Sequence, residues 1–285
     1  MLWFNDPTNN YHPWAQYTQL VPEFGRYNSY DFDWIYYTLR NAEELGVDYL
    51  TLDDTNGVFR QDGFFDLTIE HYLTAIKLTH SKIKIAIATG YEIWNDRDWQ
   101  LFLSSINHLE KYFSDTAYYK VDGKPLMVLY IGPDDQLCSI IPLASSATSA
   151  SECATQYTSN SDPMGYRTYF TELTLRYASG TDSWFFDELG LYGWQFVYPQ
   201  VVNANSMGTM PGWSRSHNNL TTGSPPIDRD GGNYYRLSWE YVLNHPPQNV
   251  VITSWDDWAE ETAIAPATAW GNYYFDLTRH YIGLY

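Results

Sequence analysis

Hydrophobic positions in this chain gather into short, near-continuous runs, separated by stretches in which apolar residues return every three or four places. VDYLTLDD (47–54), KIKIAIATG (82–90), KPLMVLYIG (124–132), LYGWQFVYP (191–199) and NVVITSWDD (249–257) are apolar almost throughout rather than alternating. That is the pattern of strands buried on both faces of a parallel sheet. MLWF (1–4) reads as a first strand and SMGTM (206–210) as the seventh. SYDFDWIYYTLRNAEELG (29–46) opens on Ser and Asp, spaces its apolar residues helically and closes on Gly46, so it predicts a helix feeding a strand. Similar helices are expected over 64–80, 96–114, 164–178 and 232–245.

Strand and helix alternating along the whole chain predict an α/β fold, a (β/α)8 TIM barrel, formed as a single domain over residues 1–285. A doubly wound open sheet is the alternative, but no G-x-G-x-x-G follows any strand to make a nucleotide site. Residues 133–165 and RSHNNLTTGSPPIDRDGG (215–232) read as long loops. In a barrel, residues at the carboxyl ends of strands face the active mouth. This gives the four acids after VVITSW a role: Asp256, Asp257, Glu260 and Glu261 would emerge there, between Trp255 and Trp258. Asp257 and Glu260, three apart, would share one face of a helix or turn. Crowded carboxyls push their pKa values apart, leaving one as acid and one as base, the pair that glycoside cleavage requires. The competing reading of the same spacing is a helix N-terminus whose acids complement the dipole.

Other strand ends carry candidate sugar contacts: Asp53 and Asp54 on the second strand, Tyr91 and Glu92 on the third, Tyr130 on the fourth, Trp194 and Tyr198 on the sixth. Hydroxyl-binding polar groups beside stacking rings are the usual furniture of a pre-formed ligand site. Glu23 and Trp3 are further candidates near the first strand. Composition narrows the partner. The 34 Asp and Glu against 16 Lys and Arg, a net charge of −18, exclude an electrostatic case for nucleic acid or an anionic membrane. No apolar run approaches the ~18 residues of a membrane span. The 26 Tyr and 12 Trp exceed what a core needs and suit a wet cleft for a polysaccharide or oligosaccharide.

No metal or cofactor is expected. The seven histidines are scattered singly, and DDTNGVFRQDG (53–63) lacks calcium-loop spacing. GWSRS (212–216) lacks the second glycine of a nucleophile elbow. Cys138 and Cys153 flank a small-residue loop, where a disulfide and two free thiols both remain open. Few lysines and the triplet Asn219-Leu220-Thr221 lean towards a secreted or extracytoplasmic protein. MLWFNDP has neither a basic n-region nor an apolar h-region, so any leader is expected to have been removed or never to have existed.

SWDDWAEETAIAPA (254–267) resembles the motif of glycoside hydrolase family 99, S-F-N-E-W-x-E-G-T-x-I-E-P, and that of family 71, with W-N-D-W-G-E-S. MPGWSR (210–215) and GGNYYRLSWEYVL (231–243) precede it in the order and spacing of the family 99 C-terminal third. FGRYNSYD (24–31), NAEELGVDYLTLDD (41–54) and DGKPLMVLYI (122–131) are similar to earlier parts of that barrel. The resemblance implies a glycoside hydrolase, endo-acting on an α-linked polysaccharide or glycan, with Asp257 as base and Glu260 as acid. It implies a retaining route through the sugar's own 2-hydroxyl for family 99 and an inverting route through water for family 71. Three positions depart: Asp256 replaces Asn, Glu261 replaces Gly, and Ala265 replaces the later acid. Glu261, as an extra acid, would be expected to raise the pKa of Glu260. These departures also leave open a catalytically silent carbohydrate-binding barrel.

Overall fold

A computed structural model describes residues 2, 20–54, 63–91, 108–121, 124–131, 184–186, 206–214 and 226–285. Contacts divide the chain into two compact units, one of residues 1–53, 66–85 and 192–285, the other of 54–65 and 86–191.

In the first unit, helix α1 (Phe32–Leu45) buries Trp34, Ile35, Thr38, Leu39, Asn41, Ala42 and Leu45, one face at helical spacing. It stops at Gly46, whose φ of 82° is left-handed and whose N–H donates to the carbonyls of Ala42 and Glu43. The chain turns there into strand β1 (Tyr49–Asp54). Leu2 lies parallel to β1 through a bridge to Leu52, its N–H donating to Thr51 O at 2.8 Å. Helix α2 (Phe64–Thr79) sets Thr68, Ile69, Tyr72, Leu73, Ala75 and Ile76 into the core.

Strand β2 (Lys84–Tyr91) passes from the first unit into the second at Ala86. In the second unit β3 (Lys120–Val121) and β4 (Lys124–Ile131) form an antiparallel pair, Lys120 opposite Pro125. On β4 two strands lie parallel, β2 with Ile87 opposite Met127, and β5 (Trp184–Phe186) with Trp184 opposite Leu126. Of the apolar runs predicted as parallel strands, those at 82–90 and 124–132 pair as such. β5 occupies residues that the hydrophobic pattern did not single out.

Returning to the first unit, β6 (Ser206–Thr209) and β7 (Asn249–Ile252) are parallel, from Ser206 opposite Asn249 to Thr209 opposite Ile252. Helix α3 (Asn233–Asn244) joins them and buries Tyr235, Ser238, Trp239 and Val242. Helix α4 (Tyr273–Ile282), absent from the sequence reading, buries Tyr274, Phe275, Thr278 and Tyr281, a helical stripe that was legible in the sequence. Trp239 of α3 stacks on Tyr281 of α4, ring centroids 5.7 Å apart, and Tyr235 Oη bonds Thr278 Oγ1 at 2.8 Å. Strand β7 is shorter than expected: SWDD leaves it as an irregular loop rather than extending it to 257. Of the expected helix 96–114 only 108–114 is described, as a single helical turn and its exit, while 164–178 lies outside the described residues, as do LYGWQFVYP, Cys138, Cys153 and Asn219. Among the described residues no helix is long and apolar enough to cross a membrane.

Candidate active site at the exit of strand β7

The chain after β7 does not begin a helix. Residues 253–262 form a loop closed at its base by two buried hydroxyls, Ser254 Oγ and Thr262 Oγ1, 2.8 Å apart. Backbone bonds tie the same positions: Ser254 N–H donates to Thr262 O at 3.1 Å, and Thr262 N–H to Asp257 O at 3.2 Å. The peptide between Thr253 and Ser254 is cis. Asp257 N–H donates to Ser254 Oγ at 2.8 Å, and Glu260 N–H donates to Asp257 Oδ1 at 2.8 Å. The three-residue spacing therefore works through a turn, Asp257 capping the N–H of Glu260, and the helix-dipole reading of these acids fails because the next α-helix starts at Tyr273.

Burial separates the two. Asp257 is 2% exposed, whereas Glu260 is half-buried. Burial raises the pKa of Asp257 well above the carboxylate range, helped by the charges of Glu260, Asp53 and Asp256; the bond from Glu260 N–H opposes the rise. Sequence reasoning looked for the raised pKa at Glu260; the structure raises that of Asp257, because that carboxyl is the one taken out of water. Glu260 is gripped from the MPGWSR segment: Trp213 Nε1 donates to Glu260 Oε2 at 3.1 Å, and Ser214 N–H to Glu260 O at 2.9 Å. Trp213 was not among the sequence candidates, although the segment carrying it was part of the family resemblance.

Asp53, at the exit of β1, is 3% exposed and acts on Asp257 electrostatically. Asp256, 1% exposed, accepts from Tyr27 Oη at 2.8 Å, and Tyr27 Oη accepts from Trp258 Nε1 at 2.9 Å. Tyr27 stacks on Trp34, centroids 3.4 Å apart and planes 8° from parallel. Burial and the Asp256 charge hold the Tyr27 phenol well above its ordinary pKa, so it stays a donor at working pH. Trp255 is buried as well, its Nε1 donating to Thr38 Oγ1 at 3.2 Å. Asp256, Trp255 and Trp258 thus each bond a polar atom inside the protein. Glu261 is half-buried with φ +57°, the left-handed region that favours glycine. Asp54 and Tyr91 close β1 and β2 and Tyr130 lies in β4, these three residues belonging to the second unit, and Glu23 is exposed on the first. Glu92, Trp194, Tyr198 and Trp3 lie outside the described residues. A cavity of about 150 Å³ lies along β1 and β7, lined by Leu45, Leu50, Trp239, Val251, Trp255 and Ile264, and neither Asp257 nor Glu260 lines it. Among the described residues no group of three His, Cys, Asp or Glu could hold a metal ion.

The Asp256 geometry carries a prediction. Asn at 256 keeps an oxygen for Tyr27 and removes a like charge beside Asp257, so Asp256→Asn is expected to lower the Asp257 pKa while the fold holds, its stability changed by about 1 kcal/mol or less. Carbon-13 titration of the Asp257 carboxyl checks this, and an unchanged or higher pKa would contradict it.

Solved structures share this architecture. The GH99 endo-alpha-mannosidase from Bacteroides thetaiotaomicron is similar over 94% of this chain and 83% of its own, with a TM-score of 0.57 at 18% identity. The likeness is one of fold. The same enzyme in complex with bis-tris-propane matches over 99% of this chain and 94% of its own, with a TM-score of 0.58 at 18% identity. A glycoside hydrolase-like protein matches over 98% and 94%, with a TM-score of 0.55 at 13% identity. No protein-family profile matches the sequence, and no curated protein does. The expected resemblance to family 99 therefore reappears in three dimensions, across a sequence distance at which only the fold is shared.

Proposed function

We propose that the chain is a glycoside hydrolase, a single (β/α)8 catalytic domain over residues 1–285 that cleaves an α-linked polysaccharide or glycan internally. One observation carries the reading: Asp257 and Glu260 are bonded through Glu260 N–H at the exit of a parallel strand, with the pKa of Asp257 raised, in a chain with the GH99 fold. A glycosidase needs one carboxyl ionised and one protonated; burial raises the pKa of Asp257, so the roles that the family resemblance implies require Asp257 to give up its proton before it acts. Asp257 acts as base, on water or on the sugar's 2-hydroxyl, and Glu260 protonates the leaving oxygen. Asp53 and the aromatic strand ends bind sugar. Net charge −18 favours a neutral glycan over an anionic one. Composition and the Asn219 triplet support a secreted or extracytoplasmic setting.

Digestion of a glycan panel, read by mass spectrometry, tests the assignment. Internal cleavage of α-linked substrates is expected; sugar binding without product would replace it with the silent binding barrel that the changes at Asp256, Glu261 and Ala265 allow. The pH profile follows from the electrostatics. As a base, Asp257 must be ionised, so its raised pKa places one limb of the profile above the usual carboxylate range, and loss of the acid's proton sets the other limb. A rate that stays flat from about pH 4 to pH 8 contradicts two-carboxylate catalysis.

A further inference from the structure

We infer that Arg229 is a positioning residue for Glu260: its guanidinium clasps the backbone beyond Glu260 and so holds the left-handed turn at Glu261 that aims the Glu260 carboxylate. The inference rests on the catalytic pair proposed above.

Arg229 Nη2 donates to Glu261 O at 2.7 Å and to Ala263 O at 2.8 Å. The guanidinium lies against two rings, 4.2 Å from the centroid of Trp270 and 4.4 Å from that of Tyr274. Trp270 is itself fixed by Nε1 donating to Ala265 O at 3.0 Å. One terminal nitrogen reaches both carbonyls while the guanidinium plane lies against two aromatic rings, and Lys has no such plane to stack. The stem is seated just as closely: a Cβ on Gly212 would stand 2.8 Å from Arg229 Cγ and 2.9 Å from Ile227 O, so only glycine lets the two segments meet. Trp213 and Ile227 exchange backbone bonds of 2.9 and 2.7 Å beside this contact, and Trp213 is the residue whose indole holds Glu260.

The clamp therefore spans both sides of the acid. From one side Trp213 and Ser214 bind Glu260; from the other Arg229 binds the carbonyls of the next residue and of Ala263. Between them Glu261 adopts φ +57°, at the position where the family 99 motif has glycine. A glycine enters that conformation freely, whereas an L-residue needs an external hold. Arg229 provides it at Glu261.

Kinetics and one spectroscopic signal test the clamp. Arg229→Met is expected to lower kcat about 10-fold or more at little change in KM, since a small misplacement of a catalytic group acts on the chemical step. Arg229→Lys should restore only part of it. Glu261→Gly in the Arg229→Met background should return kcat most of the way, because glycine holds the turn unaided. In NMR spectra the Trp213 indole N–H, bonded to Glu260, should shift in Arg229→Met and return in the double variant. Full kcat and an unmoved indole signal in Arg229→Met, or no recovery with Glu261→Gly, would overturn the inference. Should Arg229→Met fail to fold, Arg229→Lys with and without Glu261→Gly gives the same comparison. A wild-type chain that cleaves no glycan refutes the hydrolase reading alone, for the indole signal still decides whether Arg229 holds Glu260.

Discussion

Asp257→Asn is expected to depress hydrolysis of every glycoside substrate by on the order of 10²-fold or more, with binding retained. The substitution keeps the shape of the side chain and an oxygen for Glu260 N–H, so the turn closed by Ser254 and Thr262 should persist. What it removes is the one group that can take a proton from water or from the sugar's 2-hydroxyl, and no leaving group, however good, makes up for that. The same substitution should change stability in a direction set by linkage. A carboxyl whose folded pKa lies above its unfolded value favours the folded state fully only below the ordinary Asp range, and that contribution is lost as pH rises through the raised pKa. At neutral pH the wild type must either bury a charged Asp257 among three other acids or protonate it on folding, a cost that the Asn variant does not carry. Its Tm should therefore exceed that of the wild type at neutral pH, the gap closing as pH falls into the ordinary Asp range. An inactive variant that is also less stable at neutral pH would contradict the electrostatic account, and a fully active one would contradict the role.

Glu260→Gln separates the second carboxyl by leaving group. Cleavage of substrates with poor leaving groups should fall by about 10²-fold or more, while activated aryl glycosides, which need little protonation, continue to be hydrolysed. Trp213 Nε1 can donate to the amide oxygen as it does to Oε2, so local geometry should survive. Glu261→Gln, outside the pair, should cost far less. The assignment fails if Glu261→Gln is inactive while Asp257→Asn and Glu260→Gln turn over normally on an intact fold.

Much of this site was legible along the chain because it depends on neighbours in sequence. The parallel strands announced themselves as continuous apolar runs, since a strand covered on both faces has no polar side to show. α1 and α3 followed from helical spacing and, for α1, from the stop at Gly46. Asp257 and Glu260, three residues apart, could be proposed as a pair because a turn or helix brings such neighbours together. β7 was drawn too long because Trp255 continues an apolar run whose backbone has already left the strand to pair with residues 262–265. α4 was overlooked although its stripe lay in plain sight.

Tertiary structure alone decided how the acids differ. Nothing within SWDDWAEE says that Asp257 is the buried carboxyl, or that Asp256 spends its oxygen on Tyr27, 229 residues away. Trp213 reaches Glu260 across 47 residues, and Arg229 reaches Glu261 across 32. A pKa is set by how much water, charge and hydrogen bonding surround a group, and for Asp257 the charges come from its own loop and from Asp53 at the exit of β1. Residue type and spacing therefore determined where carboxylate chemistry could occur. Burial and contacts between distant segments determined which acid is taken out of water.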